Sequence, residues 1–244
     1  MKEQKEALRN GLEALQIELD EVQQEKLLDF GAMLLAENEK QNLTAVRDPR
    51  EVVSRHFLDS LAPLSVPAAK ERLCVPGTRL IDVGTGAGFP GIPLAIALPE
   101  LSCTLLDSLQ KRIAFLENVT ETLGLSNANL LSARAEDAAK DPEHREAYDL
   151  ATSRAVADLA VLSEYCLPFV RIGGAFLAYK GADCTEETER AANALQILGG
   201  AAPRVETYPI PELEGLHTLL LIEKTGPTPE KYPRRAGVPT KRPL

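Results

Sequence analysis

A glycine-rich turn directly follows a short apolar run that has the character of a buried strand. Residues 80–81 are Leu and Ile, Asp82 comes next, and residues 83–91 read Val-Gly-Thr-Gly-Ala-Gly-Phe-Pro-Gly. Glycine permits positive φ angles and lets a ligand approach the main chain without meeting a Cβ atom. A helix that begins after such a turn directs free N–H groups at the ligand. We therefore expect Gly84 and Gly86 to line a ligand site.

A second apolar run ends in an acid at the distance expected of a ribose-binding group. Asp107 closes the run at residues 103–106 and lies 23 residues after Gly84. A carboxylate about 20 residues beyond a glycine turn accepts hydrogen bonds from ribose hydroxyls in sites of this kind. The two features together predict a cofactor that contains adenosine, bound between the turn and Asp107, with Ser108 beside it.

Two cofactors fit the glycine pattern. Read from Asp82, the pattern Asp-x-Gly-x-Gly-x-Gly is typical of class I methyltransferases, which bind S-adenosylmethionine. Read from Gly86, it is the Gly-x-Gly-x-x-Gly fingerprint of dinucleotide sites. Asp82 can reach the amino group of a methionine tail, and Pro90 and Pro93 remove N–H donors that a pyrophosphate would need. The methyltransferase is favoured, with a nicotinamide-dependent oxidoreductase as the alternative.

Composition excludes several function classes. The 244 residues carry a net charge of −9 and contain four cysteines and three histidines. No run of about 18 apolar residues indicates a membrane span, and the charged N-terminus lacks the apolar centre of a signal peptide. The cysteines form no Cys-x-x-Cys pair, and the histidines have no ligand spacing with them. These features predict a cytoplasmic protein without a metal site.

The chain divides into three segments by pattern. Residues 1–75 read as helices that cap the fold, with a proline-marked linker at 63–77, and residues 76–225 alternate between strands and helices. Residues 226–244 form a proline-rich arm, whose last 14 residues hold five basic residues and no acid. The prolines argue against a helix in that arm.

Seven strands are expected in the central segment, at 79–83, 102–107, 129–132, 149–153, 175–179, 204–208 and 217–222. Alternation with helices implies a parallel sheet covered on both faces. The last two strands are joined by residues 209–215, too few for a crossover helix, so they form a hairpin. A seven-stranded, mostly parallel sheet with one antiparallel strand is the α/β, Rossmann-like arrangement of class I methyltransferases.

Ligands bind such sheets at the carboxyl ends of the strands. Besides the turn and Asp107, the residues at these ends are Phe89, Ala135, Glu136, Arg154 and Lys180. Ala135 and Glu136 follow the third strand, where side chains flank an adenine. Arg154 ends the fourth strand, where it either orients a ligand or pairs with a structural acid such as Asp158.

The chain resembles the bacterial small-subunit rRNA guanine-N7 methyltransferases, also called glucose-inhibited division protein B. The resemblance is carried by residues 42–47, 55–61, 82–92, 105–108, 111–112, 134–136, 153–157, 180–181 and 232–239. It implies cofactor contacts at Gly84, Phe89, Ala135, Glu136 and Arg154, with Asp107 on the ribose. It also implies a loop guanine of 16S rRNA as substrate, presented on the small ribosomal subunit, and a cytoplasmic monomer.

Methylation at guanine N7 is compatible with the residues present. N7 carries a lone pair and no proton, so alignment of donor and acceptor suffices and no general base is required. Arg154 is assigned at most an orienting role. The residues expected to face RNA are Asn42, Arg47, His56, Lys180, Arg234 and Arg235. A non-enzymatic ribosome assembly factor is a further alternative.

Overall fold

The chain folds around a seven-stranded sheet in a computed structural model that describes residues 2–154, 157–181 and 183–244. The strands are β1 Arg79–Val83, β2 Ser102–Asp107, β3 Ala128–Ser132, β4 Tyr148–Arg154, β5 Val170–Lys180, β6 Arg204–Pro209 and β7 Leu216–Glu223. Their order across the sheet is β3-β2-β1-β4-β5-β7-β6. Strand β7 runs antiparallel to β5 and β6, and the other pairs are parallel. The predicted class I arrangement is confirmed.

Helices cover both faces of the sheet. The α-helices are α1 Lys2–Ala14, α2 Glu21–Gln41, α3 Pro49–Val52, α4 Asp59–Leu61, α5 Pro67–Leu73, α6 Gly91–Ala97, α7 Gln110–Leu123, α8 Ala135–Ala138, α9 Leu159–Cys166, α10 Thr185–Leu198 and α11 Val238–Lys241. A π-helix, Val53–Leu58, joins α3 to α4, and 3₁₀ turns occupy Ala62–Ser65 and Leu167–Phe169. None of the described helices combines the length and apolar character that a membrane crossing needs.

Two hydrophobic cores, one on each face, follow from the alternation of side chains along the strands. In β1, Leu80 packs with the core that contains the N-terminal helices, α6 and α7. Ile81 and Val83 point the other way, into the core with α9 and α10. Each strand of the sheet interior is therefore apolar on both faces, which is why these strands read as continuous apolar runs.

The long helix α2 connects the N-terminal segment to the glycine turn. It begins at a capping box, in which the Asp20 carboxylate accepts from Gln23 N at 2.8 Å and the Gln23 side chain accepts from Asp20 N at 2.9 Å. Phe30, in the middle of α2, is fully buried and lies 5.1 Å from the Phe89 ring, centroid to centroid. The N-terminal helices thus support the turn directly.

Two expectations about proline-rich segments are wrong. The expected linker contains a 3₁₀ turn and α5, because Pro63 and Pro67 occupy first-turn positions where no N–H donor is required. The C-terminal arm contains a helical turn, α11, with Pro239 in its first turn for the same reason.

Hydrogen bonds to Asp82 and to strand β2 hold the turn after β1. Asp82 Oδ2 accepts from Thr85 Oγ1 at 2.7 Å and from Gly91 N at 2.9 Å. The Leu106 carbonyl of β2 accepts from Gly84 N at 2.9 Å. Gly84 has φ +73°, a conformation that favours glycine. The turn is therefore a defined loop fixed to the ends of two strands.

Substitution of Gly88 by alanine is expected to destabilise the fold by about 2–4 kcal/mol. Gly88 has φ +100°, and a Cβ atom there would lie 2.7 Å from Ile92 and 2.8 Å from Leu116, both in the core. Gly124→Ala is the matched control, since Gly124 has φ +61° and open space around it; we expect a loss of about 1 kcal/mol there. Urea unfolding measures both, and equal losses would contradict the steric argument.

Candidate active site at the carboxyl ends of the strands

A cavity of about 570 Å³ opens at the carboxyl ends of β1, β2 and β4. This is the edge at which ligands bind in open parallel sheets. The predicted site residues that line it are His56, Gly84, Gly86, Phe89, Asp107, Ser108, Ala135, Glu136 and Arg154. Topology explains the convergence, because parallel strands bring residues distant in sequence to one edge.

Asp82 lies beneath the cavity and is not part of its lining. It is fully buried, and burial raises the pKa of its carboxyl to about 6, against the hydrogen bonds from Thr85 and Gly91. Its Oδ1 has no hydrogen-bond partner among the described residues. The sequence predicted that Asp82 contacts the cofactor. In the structure, its hydrogen bonds are to Thr85 and Gly91 of the turn.

Asp107 is fixed at the end of β2 by three donors. Oδ2 accepts from Gly86 N and from Arg112 Nη1, each at 3.0 Å, and Oδ1 accepts from Leu109 N at 2.8 Å. The side chain is 3% exposed, yet it lines the cavity. A carboxylate can accept about four hydrogen bonds, so capacity for a ligand hydroxyl remains.

A stack of planar groups forms the wall next to the turn. The His56 ring lies 4.5 Å from the Phe89 ring with an interplanar angle of 24°. The Arg154 guanidinium carbon lies 5.1 Å from the centroid of the same Phe89 ring. His56 Nε2 is 2.8 Å from the Thr44 hydroxyl. The wall therefore presents flat apolar and polar surfaces side by side, which suits a planar heterocycle.

Arg154 is held in place by Asp59 rather than by Asp158. Its Nη1 donates to Asp59 Oδ2 at 2.8 Å and to the Arg55 carbonyl at 3.0 Å. Asp59 Oδ1 lies 3.2 Å from His217 Nδ1 on β7. Burial raises the pKa of Asp59, but the bonds from His217 and Arg154 outweigh it and hold that pKa below its usual range. The carboxylate therefore stays charged and keeps the guanidinium in position.

His56 is uncharged near neutral pH. Burial and the Arg154 cation lower the pKa of its imidazole to about 4. A neutral imidazole has one donor and one acceptor nitrogen. The ring therefore contributes stacking and hydrogen bonding to the wall and carries no positive charge.

Part of the cavity wall comes from residues that the sequence did not single out. Tyr165 of α9 and Thr240 of the arm line the cavity and share a hydrogen bond of 2.9 Å between their hydroxyls. Gly237 lines it too, and its N–H donates to Glu136 Oε1 at 3.0 Å. Gly237 and Thr240 come from the far end of the chain, so no spacing within the glycine motif could have revealed that they line the cavity.

Of the residues expected to face RNA, only His56 lines the cavity. His56 lies in the cavity, whereas Asn42 ends α2 with φ +50° and is exposed, as are Arg47 and Arg235. Lys180 is 10% exposed in its side chain and is paired with Glu187 at 2.5 Å.

Arg234 also forms an ion pair within the protein. Its guanidinium Nη2 lies 2.5 Å from Glu164 Oε2, and the Glu164 side chain is 1% exposed. Lys180 and Arg234, two of the residues expected to face RNA, therefore already have carboxylate partners in this structure.

The cavity fits a cofactor that contains a nucleoside. Its volume lies in the range of small-molecule sites. Gly86 presents main chain without a Cβ, and Asp107 and Glu136 supply carboxylates that can accept from hydroxyl or amino groups. The unpartnered Oδ1 of Asp82 is a further buried acceptor beneath the turn.

A family model described as rRNA small subunit methyltransferase G matches residues 23–212. The chain belongs to this family. The small-subunit methyltransferase G of Alkaliphilus metalliredigens is 47% identical over 242 residues, covering 99% of both chains. That of Roseiflexus castenholzii is 48% identical over 228 residues, covering 93% of this chain and 94% of the relative. Family membership confirms the predicted resemblance, and the chain is a methyltransferase rather than an oxidoreductase.

Comparison with solved structures supports the assignment of the fold. A 16S rRNA (adenine(1408)-N(1))-methyltransferase from Catenulisporales acidiphilia superposes with a TM-score of 0.50 at 17% identity, over 66% of this chain and 91% of that one. At this identity the likeness concerns the fold alone. It agrees with the class I strand order seen here.

The imidazole of His56 is expected to titrate with a pKa of about 4, because protonation is opposed by burial and by Arg154. The unfolded chain binds this proton below pH about 6.5, so the contribution of His56 to the free energy of unfolding falls by up to about 3 kcal/mol as pH is lowered from 6.5 to 4. NMR titration, with His56→Gln to assign the signal, measures the pKa. Titration near 6.5 would contradict the buried, cation-facing position.

Proposed function

We propose that this chain transfers a methyl group from S-adenosylmethionine to N7 of a loop guanine in 16S rRNA. Membership of the rRNA small subunit methyltransferase G family, over residues 23–212, is the observation that carries the proposal. The cavity at the strand ends supports it, because its lining suits a nucleoside cofactor. We further propose that the protein acts as a cytoplasmic monomer on the small subunit or on an assembly intermediate.

The cofactor would be held by the glycine turn and the ends of β2 and β3. The main chain at Gly84 and Gly86 would meet its amino-acid portion, Asp107 would accept from its ribose hydroxyls, and Ala135 and Glu136 would flank its adenine. When bound, the cofactor supplies an electrophilic methyl carbon. Asp107 is already fixed by three donors, so the carboxylate is oriented before the ligand arrives.

The acceptor base would lie against His56, beside Phe89 and Arg154, which the resemblance assigns to the cofactor. The His56 ring, which is partly exposed in the cavity, suits a stacked guanine, and the Arg154 guanidinium suits an acceptor atom on the base edge. N7 needs no deprotonation, which agrees with a neutral His56 and with Arg154 serving to orient rather than to transfer a proton. Catalysis would come from alignment and exclusion of water.

RNA binding would use the cations that the fold leaves free. Arg47 and Arg235 are exposed, and neither forms an ion pair with another residue of the described ranges. Lys180 and Arg234 have carboxylate partners, so we assign them to positioning neighbouring segments. With a net charge of −9, the surface favours recognition through RNA shape as much as through phosphate attraction.

Incubation with tritiated S-adenosylmethionine and small ribosomal subunits from a strain that lacks this gene tests the proposal. We expect label to be recovered as 7-methylguanosine from one 16S rRNA fragment. Subunits from the parent strain are the control and should take up little label, because the site is already methylated. Label in another nucleoside, or none in the presence of measurable cofactor binding, would overturn the substrate assignment.

Asp107→Asn is expected to weaken cofactor binding about 10- to 100-fold, since a hydrogen bond to a charged acceptor contributes about 1.5–3 kcal/mol. Calorimetric titration with S-adenosylhomocysteine measures the change. Asp149→Asn is the matched control: this acid accepts from Arg79 N at 2.8 Å and pairs with Arg171, at the opposite end of the sheet. Unchanged affinity in Asp107→Asn would remove this residue from the ribose site.

A further inference from the structure

The C-terminal arm, residues 226–244, is fastened to the body of the protein along its length. Arg145 donates to the carbonyls of Thr228 and Tyr232, each at 2.9 Å. Thr228 N donates to Glu146 Oε1 at 2.7 Å. These contacts fix the start of the arm independently of any ligand.

The middle of the arm is held by a buried acid on α9. Glu164 accepts from the Arg234 main-chain N at 2.7 Å and from its guanidinium Nε at 2.9 Å. The Glu164 side chain is 1% exposed. A carboxylate buried to this degree needs its cation, because an unpaired buried charge is strongly destabilising. The pair therefore fixes the path of the arm toward the cavity.

Docked in this way, the arm completes one side of the cavity. Gly237 and Thr240 both belong to the lining. Gly237, with φ +78°, donates its N–H to Glu136 Oε1, and Thr240 meets the Tyr165 hydroxyl. Glu136 is 5% exposed and lies on the side where the sequence places the adenine. One of its oxygens is thus occupied by the arm at the position that would face the cofactor.

We propose that residues 234–240 of the arm are part of the S-adenosylmethionine site, so that docking of the arm and binding of the cofactor stabilise each other. The Gly237 N–H orients the Glu136 carboxylate, and the Tyr165–Thr240 pair closes the wall beside it. The proposal rests on the proposed function, since it assigns this cavity to that cofactor. Coupling of this kind is reciprocal: whatever the arm adds to ligand affinity, the ligand adds to the stability of the docked arm.

The coupling also bears on RNA. Arg235, Lys241 and Arg242 line a neighbouring groove of about 410 Å³ that shares Gly237 with the cavity. A bound cofactor would therefore hold these cations beside the adenine end of its site, available to phosphate groups of the substrate RNA.

Gly237→Ala tests the coupling from the side of the arm. A Cβ at Gly237 meets no atom within 4 Å, so alanine perturbs only a backbone with φ +78°. A strain of about 1 kcal/mol lowers the fraction of free protein in which residues 234–240 are docked, so binding of S-adenosylhomocysteine, measured by calorimetry, is expected to weaken by up to about fivefold. The matched control is Gly77→Ala, which has the same φ and the same open surroundings but precedes β1, at the opposite end of the sheet.

Trypsin digestion of the unmodified full-length protein tests the coupling from the side of the ligand. Saturating S-adenosylhomocysteine is expected to slow cleavage after Arg235 and after Lys241 several-fold, while cleavage outside the arm and the cavity proceeds at the same rate. This measurement needs no variant and therefore does not depend on the folding of a mutant.

The outcomes separate the two proposals. Weaker binding in Gly237→Ala, normal binding in Gly77→Ala and ligand-dependent protection of the arm would support the coupling. Binding of S-adenosylhomocysteine by the wild-type protein with equal affinity in Gly237→Ala and no protection would overturn the role of the arm and leave the proposed function standing. Absence of any binding by the wild-type protein would overturn both.

Discussion

The site depends on one buried carboxylate, that of Asp82. It lies in the hydrophobic core at the end of β1, and burial raises its pKa to about 6. Its bonds to the Thr85 hydroxyl and to Gly91 N span the glycine turn and fix both of its ends. A Cβ at Gly91 would overlap the Leu105 side chain and lie 2.8 Å from Asp82 Oδ2, so packing inside the protein already requires the last glycine of the motif. The motif therefore has a structural role that does not depend on a bound ligand.

Residues distant in sequence from Asp82 also support the turn. Phe89, inside the turn, packs on Phe30 of α2 and stacks with His56, so helices at the start of the chain shape the wall of the cavity. Arg154 belongs to the same wall, and Asp59 ties it to His217 on the antiparallel strand β7. Residues from the N-terminal helices and from the sheet therefore act together to form this wall.

The sequence predicted the sheet and nine of the residues that line the cavity, because these depend on local signals. Apolar runs bounded by turn residues located the seven strands, and strand ends located Asp107, Glu136 and Arg154. Pairing between distant residues has no such signal. Arg154 pairs with Asp59 instead of Asp158, and Lys180 and Arg234 are neutralised by Glu187 and Glu164. The proline content of the arm led to the wrong prediction that it contains no helix. A proline in the first turn of a helix, as in α11, removes no hydrogen bond.

We propose that the turn fixed by Asp82 and the ends of β2 and β3 form one cofactor site. Amide hydrogen exchange of the wild-type protein, with and without saturating S-adenosylhomocysteine, tests it most directly. We expect slower exchange at residues 84–89 and at residues 134–137, with no change in the β6–β7 hairpin. Protection confined to other regions, or no protection at a ligand concentration that saturates binding, would contradict it.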